Sequence, residues 1–167
     1  MPKVPLFGNI GTLPDTSGDV VPQSLAILAT NDQWPHGIFR FNDSGNRDGI
    51  NFARKIPDDY GSGAGILLEW STSATTGDAE FDVDYRAVGG DNAESIDQSG
   101  VQESVNSNDT APSTTFFKMQ VTISVTDGNL AAGDILQGTV FRDGTDAGDT
   151  ISAAIILIGA WLDYTAA

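Results

Sequence analysis

Between Phe117 and Thr126 the chain alternates without a fault. Phe117, Met119, Val121, Ile123 and Val125 are separated by Lys118, Gln120, Thr122, Ser124 and Thr126. Only an extended strand sends every second side chain to the same face, so this stretch is predicted to be a strand with one buried and one wet side. The same period recurs. Phe81, Val83, Tyr85 and Ala87 alternate with Asp82, Asp84 and Arg86; Ile50, Phe52, Arg54 and Ile56 alternate with Asn51, Ala53 and Lys55. Phe39 and Phe41 share a face, as do Ile66, Leu68 and Trp70, and further apolar runs span Ile135 to Phe141 and Ile155 to Tyr164. Clusters of turn formers separate them: Asp43 to Gly49, Asp58 to Gly63, Asp127 to Asn129 and Asp143 to Asp149. Gly89 to Ser113 reads as a long polar loop with room for a short strand at Val101, Glu103 and Val105. About eight or nine short strands and no convincing helix imply an all-β fold, an antiparallel two-sheet sandwich of jelly-roll-like form. A chain of 167 residues is of single-domain length.

The two ends of the chain stand apart. Residues 1–22 carry Pro2, Pro5, Pro14 and Pro22, which remove backbone donors and fix φ. The expectation is an extended N-terminal arm over 1–22 and a sandwich over 23–167. Leu6, Phe7 and Ile10 are its candidate anchors on a neighbouring subunit or shell, since a solvated tail needs no such residues. The final run is apolar on both alternating sets: Ile156, Ile158, Ala160, Leu162 and Tyr164 on one, Ile155, Leu157, Gly159 and Trp161 on the other. A strand with one wet face should not look like this. Either the arm or another subunit must cover the second face, and Ile155, Leu157 and Trp161 are the candidate interface residues.

Charge narrows the partners. The formal net charge of −15 disfavours nucleic acid and anionic membranes. Cysteine is absent, which removes disulfides, thiolate metal sites and a Cys nucleophile. The N-terminus lacks a basic region followed by an apolar one, so the expectation is a soluble protein released without export. No cofactor or metal is expected and the chain is not read as an enzyme. His36 is the lone histidine, and neither a Gly-x-Ser-x-Gly elbow nor a phosphate-cradling glycine loop is present. Asp143, Asp146 and Asp149 sit in a Gly-rich loop, but their spacing does not match an EF-hand, and a plain acidic turn is the simpler account. Trp34, Trp70 and Trp161 are the residues that could line a sugar-binding face; core packing is the simpler role, especially for Trp70, which shares a face with Ile66 and Leu68.

Two stretches carry a resemblance. One is Gly37-Ile38-Phe39-Arg40-Phe41, a turn, Asn51-Phe52-Ala53 and Ile56-Pro57-Asp58-Asp59-Tyr60. The other is Asn129-Leu130-Ala131-Ala132-Gly133-Asp134, a strand, Phe141-Arg142-Asp143-Gly144, Asp149-Thr150 and the apolar final strand. With the Trp70 strand, they resemble jelly-roll virion proteins of tailed phages, some of which are capsid decoration (cement) proteins. The resemblance implies a homotrimer on the outer surface of a virion, bound to the major capsid protein where capsomers meet. The leading expectation is therefore a decoration protein that stabilises the head shell. The alternative is a receptor- or glycan-binding module of a phage tail or fibre.

Overall fold

The alternating stretches are strands in the structure, a computed structural model that describes residues 1–6, 21–22, 39–43, 45–91 and 93–167. Among these residues lie β1 (Lys3–Pro5), β2 (Val21–Pro22), β3 (Phe39–Phe41), β4 (Arg47–Lys55), β5 (Tyr60–Thr72), β6 (Asp78–Val88), β7 (Glu103–Thr110), β8 (Met119–Ser124), β9 (Ile135–Asp143) and β10 (Ile155–Ala166). A single 3-10 turn, Asp127–Asn129, is the sole helical piece described. One sheet runs β2-β3-β10-β5-β8 with β1 also beside β10; the other runs β4-β9-β6-β7. Every pairing is antiparallel. The fold is an all-β, two-sheet antiparallel sandwich of the jelly-roll kind.

The period-2 residues meet between the sheets. Phe41, Ile66, Leu68, Trp70, Ile123 and Ile155 from the first sheet pack on Ile50, Phe81, Val83, Tyr85, Leu136 and Val140 from the second. Each such side chain contributes about 1.5–3 kcal/mol when removed from water. Trp70 meets Phe81 edge-on, ring centroids 5.4 Å apart, and its indole N–H donates to Asp109 at 2.9 Å. Arg142 breaks the pattern. It points inward from β9 at 1% exposure, opposite Asp48, and donates to both oxygens of Asp149 and to the carbonyls of Asn42, Ile151 and Ala153. A buried guanidinium with this many acceptors is a strap that ties the 144–154 loop to the sandwich.

Three local expectations change. The short strand allowed at Val101, Glu103 and Val105 is β7, which starts at Glu103 and runs on to Thr110; among the described residues it pairs on one side only, with β6, and Val105 is its one apolar side chain. β5 starts at Tyr60, where a loop was expected, because Gly61 and Gly63 let the strand run tight against the chain end. A Cβ at Gly61 would sit 2.9 Å from the Thr165 carbonyl oxygen.

The third concerns β10. Leu157 faces Trp70 and Gly159 faces Glu69, so Ile158 is an extra residue, a β-bulge. The bulge moves the inward phase from Ile155 and Leu157 to Ala160, Leu162 and Tyr164. That phase change, invisible to strict alternation, accounts for much of the strand's apparent two-sided apolarity.

The chain's start belongs to the sandwich. Lys3, Val4 and Pro5 stand opposite Asp163, Leu162 and Trp161, and the Leu6 N–H donates to the Ala160 carbonyl at 2.8 Å. Residues 3–6 of the stretch expected to be an arm are thus part of the sheet. A proline is tolerated at Pro5 because, among the described residues, β1 pairs only with β10.

Candidate functional site

The residues singled out in the sequence separate cleanly. Ile155 and Leu157, expected at a subunit interface, lie instead in the chain's own core at 0% exposure, because the bulge has not yet reversed the strand at their positions. Leu6, expected on a partner, is 2% exposed in the same core. Phe7, Ile10, Trp34 and His36 lie outside the described residues. The carboxylates of the acidic loop have partners within the chain. Asp149 binds Arg142, Asp143 accepts from the Thr145 backbone and hydroxyl, and Asp146 accepts from the Gly148 N–H. Among the described residues no three His, Cys, Asp or Glu side chains are placed to hold a metal ion. Trp70 is fully buried. Of the two tryptophans described, only Trp161 reaches the surface.

Trp161 sits on the outer face of the larger sheet, opposite Leu67 on β5 and Pro5 on β1. Its ring folds back over Gly159. A Cβ at that glycine would lie 2.2 Å from Cη2, 2.7 Å from Cζ3 and 2.8 Å from Cζ2. The small spread of these distances puts Gly159 beneath the ring's face, not beyond its edge. One face of the indole therefore rests on bare backbone, and the residue as a whole is half-buried. Any side chain at 159 would lift the ring.

The next groups outward are polar. Gly159 faces Glu69, and Glu69 faces Gln120 on β8. Glu69 Oε1 accepts from Lys118 Nζ at 2.7 Å and from Gln120 Nε2 at 2.6 Å. The Lys118 bond, aided by Gln120, holds the Glu69 carboxyl below the ordinary glutamate range against the opposing effect of burial. The result is a flat apolar ring flanked by an ionised carboxylate, an ammonium and an amide. A pyranose has the same division, with axial C–H groups on its faces and hydroxyls around its rim.

The sequence did not disclose this set. Glu69 stands between two core residues, and Lys118 and Gln120 occupy the wet half of the alternating strand. The available signal was an acid and a base on outward positions of two strands, but their register was needed to bring them together.

The outer face of the smaller sheet is built differently. Arg47 lies over the Phe141 ring, its guanidinium carbon 3.7 Å from the centroid. It donates to Asp82 at 2.9 Å and to Asp84 at 2.8 and 3.0 Å. Burial opposes the Asp84 charge, yet the bonds from Arg47 and Ser104 outweigh it and hold the carboxyl below its usual range. Thr139 donates to Asn51 at 2.6 Å. A groove of about 390 Å³ beside them has a mixed lining that includes Phe52, Arg86, Val101 and Gln137.

No family model matches the sequence, and no curated protein matches it. Solved structures do match. The chain resembles the family 11 carbohydrate-binding module of the cellulosomal cellulase Lic26A-Cel5E of Clostridium thermocellum, with a TM-score of 0.52 and 11% identity over 98% of this chain and 94% of that one. It is equally similar to a family 11 module from Clostridium thermocellum in complex with a β-1,3-1,4-mixed-linked tetrasaccharide, with a TM-score of 0.52 and 11% identity over 98% of this chain and 95% of that one. These likenesses lend the capsid expectation no support. What they establish is the architecture: this chain has the jelly-roll sandwich fold found in carbohydrate-binding modules.

Proposed function

We propose that this chain is a non-catalytic glycan-binding module that stacks a neutral sugar on Trp161. The observation that carries the reading is the indole seated on Gly159, with Glu69, Lys118 and Gln120 at its rim. Stacking supplies non-directional burial and the polar rim supplies orientation, the usual division of labour in a small-molecule site. Neutral ligands fit because the Glu69 and Lys118 charges neutralise one another and the net charge of −15 repels polyanionic glycans. Hydrolysis is not part of the reading. A glycosidase needs a carboxylic acid with a raised pKa, and Lys118 holds Glu69 in the opposite direction. Together with the sequence resemblance, this favours a receptor- or glycan-binding module of a phage tail or fibre over a decoration protein.

Affinity electrophoresis against mixed-linked β-glucan, mannan, xylan and galactan tests the reading. At least one polysaccharide should retard the protein, and Trp161→Ala should abolish the retardation, a loss of at least about tenfold in affinity, while leaving the fold intact. Retention by none of them, with co-sedimentation on capsid shells, would return the reading to decoration. A homotrimer remains a proposal of the resemblance, and light scattering at micromolar concentration decides it.

A further inference from the structure

The segment leading into β8 turns tightly through a half-buried residue of unusual backbone conformation. Among the described residues only Asp91 and Phe116, apart from glycines, adopt positive φ, and Phe116 lies at 61°. For a bulky aromatic this conformation is unfavourable and persists only when the surroundings enforce it. Here they do. The Phe116 N–H donates to the Thr72 carbonyl at 2.8 Å, the Phe117 N–H donates to the Thr114 carbonyl at 3.3 Å, and the Phe117 carbonyl accepts from Ser71 Oγ at 3.1 Å. The strained residue is clamped at the end of β5. Its consequence concerns Phe117. Strict alternation would send Phe117 inward with Met119 and Val121; the kink leaves it 58% exposed instead. It directly precedes Lys118, whose ammonium grips Glu69 beside the Trp161 ring. A lone exposed aromatic is ordinary. An aromatic kept in water by a strained and clamped backbone, at the rim of a face that already holds a half-buried indole, is not.

We infer that Phe117 is a second stacking platform of the Trp161 site, so that the ligand is a linear run of neutral sugar units and not a single terminal residue. The inference rests on the glycan-binding reading. Ser71, which anchors Phe117, is two residues along β5 from Glu69, roughly 7 Å. That offset suits a neighbouring unit of the same chain. Phe117 thus sets ligand length, and Trp161 sets whether a ligand binds.

The test is titration calorimetry of the wild type, Phe117→Ala, Phe117→Tyr and Trp161→Ala. The probes are the tetrasaccharides of mixed-linked β-glucan, mannan, xylan and galactan, with glucose, mannose, xylose and galactose as single units. The wild type should bind one tetrasaccharide at least about tenfold more tightly than its monosaccharide. Phe117→Ala should erase that gain and leave the monosaccharide affinity unchanged, and Phe117→Tyr should retain it. Unchanged tetrasaccharide affinity in Phe117→Ala, with Trp161→Ala inactive, overturns the second platform while the glycan site stands. Absence of sugar binding by the wild type overturns both.

Discussion

The two outer faces of the sandwich each carry an aromatic ring, and their neighbours give the rings opposite fates. Phe141 is 6% exposed because Arg47 lies across it and is itself fixed by Asp82 and Asp84. Trp161 has no such cation across it from its own strand; Gly159 beneath it lets the ring lie low, and the residue stays half-buried. The first face has satisfied its polar groups within itself, as a stabilising surface does. The second leaves an apolar plane beside oriented donors and acceptors, as a binding surface does. An aromatic on the wet side of a strand is thus no signal until the residues opposite and two positions away are known.

The most severe way to break this contrast is to fill the space beneath the indole. Gly159→Ala places a Cβ 2.2 Å from the ring's Cη2, far inside van der Waals contact, so the indole must tilt away. Glycan affinity should fall about tenfold and Tm by about 2–4 °C, read by calorimetry and thermal scanning. Intact binding would show that the low ring is not the platform. Uncovering the other ring comes next. Arg47→Ala exposes Phe141 and leaves Asp82 and Asp84 without their partner. The part-exposed ion pairs contribute about 1 kcal/mol, so Tm should drop by about 2–4 °C with glycan affinity unchanged. A loss of sugar binding there would move the site to the smaller sheet.

A subtler probe is Glu80, on the Arg47 side and 8% exposed. Burial raises its carboxyl pKa, and the charges of Asp146, Asp82, Asp143 and Asp149 raise it further. A carboxyl with a raised folded-state pKa holds its proton more tightly in the fold than when unfolded. Its contribution is therefore present at low pH and lost as pH rises through the folded value. Glu80→Gln should raise Tm near neutral pH by about 2 °C or less and flatten that pH dependence. Wild-type and variant curves that remain parallel from pH 4 to 8 would count against it. The smallest effect belongs to Glu69. Its lowered pKa keeps the rim charged as pH falls through the ordinary glutamate value, about 4.3, so glycan affinity should hold there and weaken only in stronger acid. Weakening already at that ordinary value would mean that Lys118 does not secure the carboxylate.

Much of the fold was written in period-2 spacing. Alternation at Phe81–Ala87 and Met119–Val125 specifies half-buried strands whatever their partners, because a pleated backbone leaves those side chains no other arrangement. Turn-forming clusters bounded most of the strands. Pairing decided the rest. β7 has only Val105 as an apolar side chain on its half-buried side, too little for alternation to show. Arg142 looks like a surface residue until five acceptors converge on it from the loop and its neighbours. The bulge at Ile158 reverses the faces of β10 halfway along, placing Leu157 in the core and Trp161 outside, and no one-dimensional pattern can announce an extra residue that exists only relative to the strand beside it. Glu69, Lys118 and Gln120 meet for the same reason. Local periodicity determined which residues could be buried; register between strands, a property of pairs, decided which of the remaining ones stand together as a site.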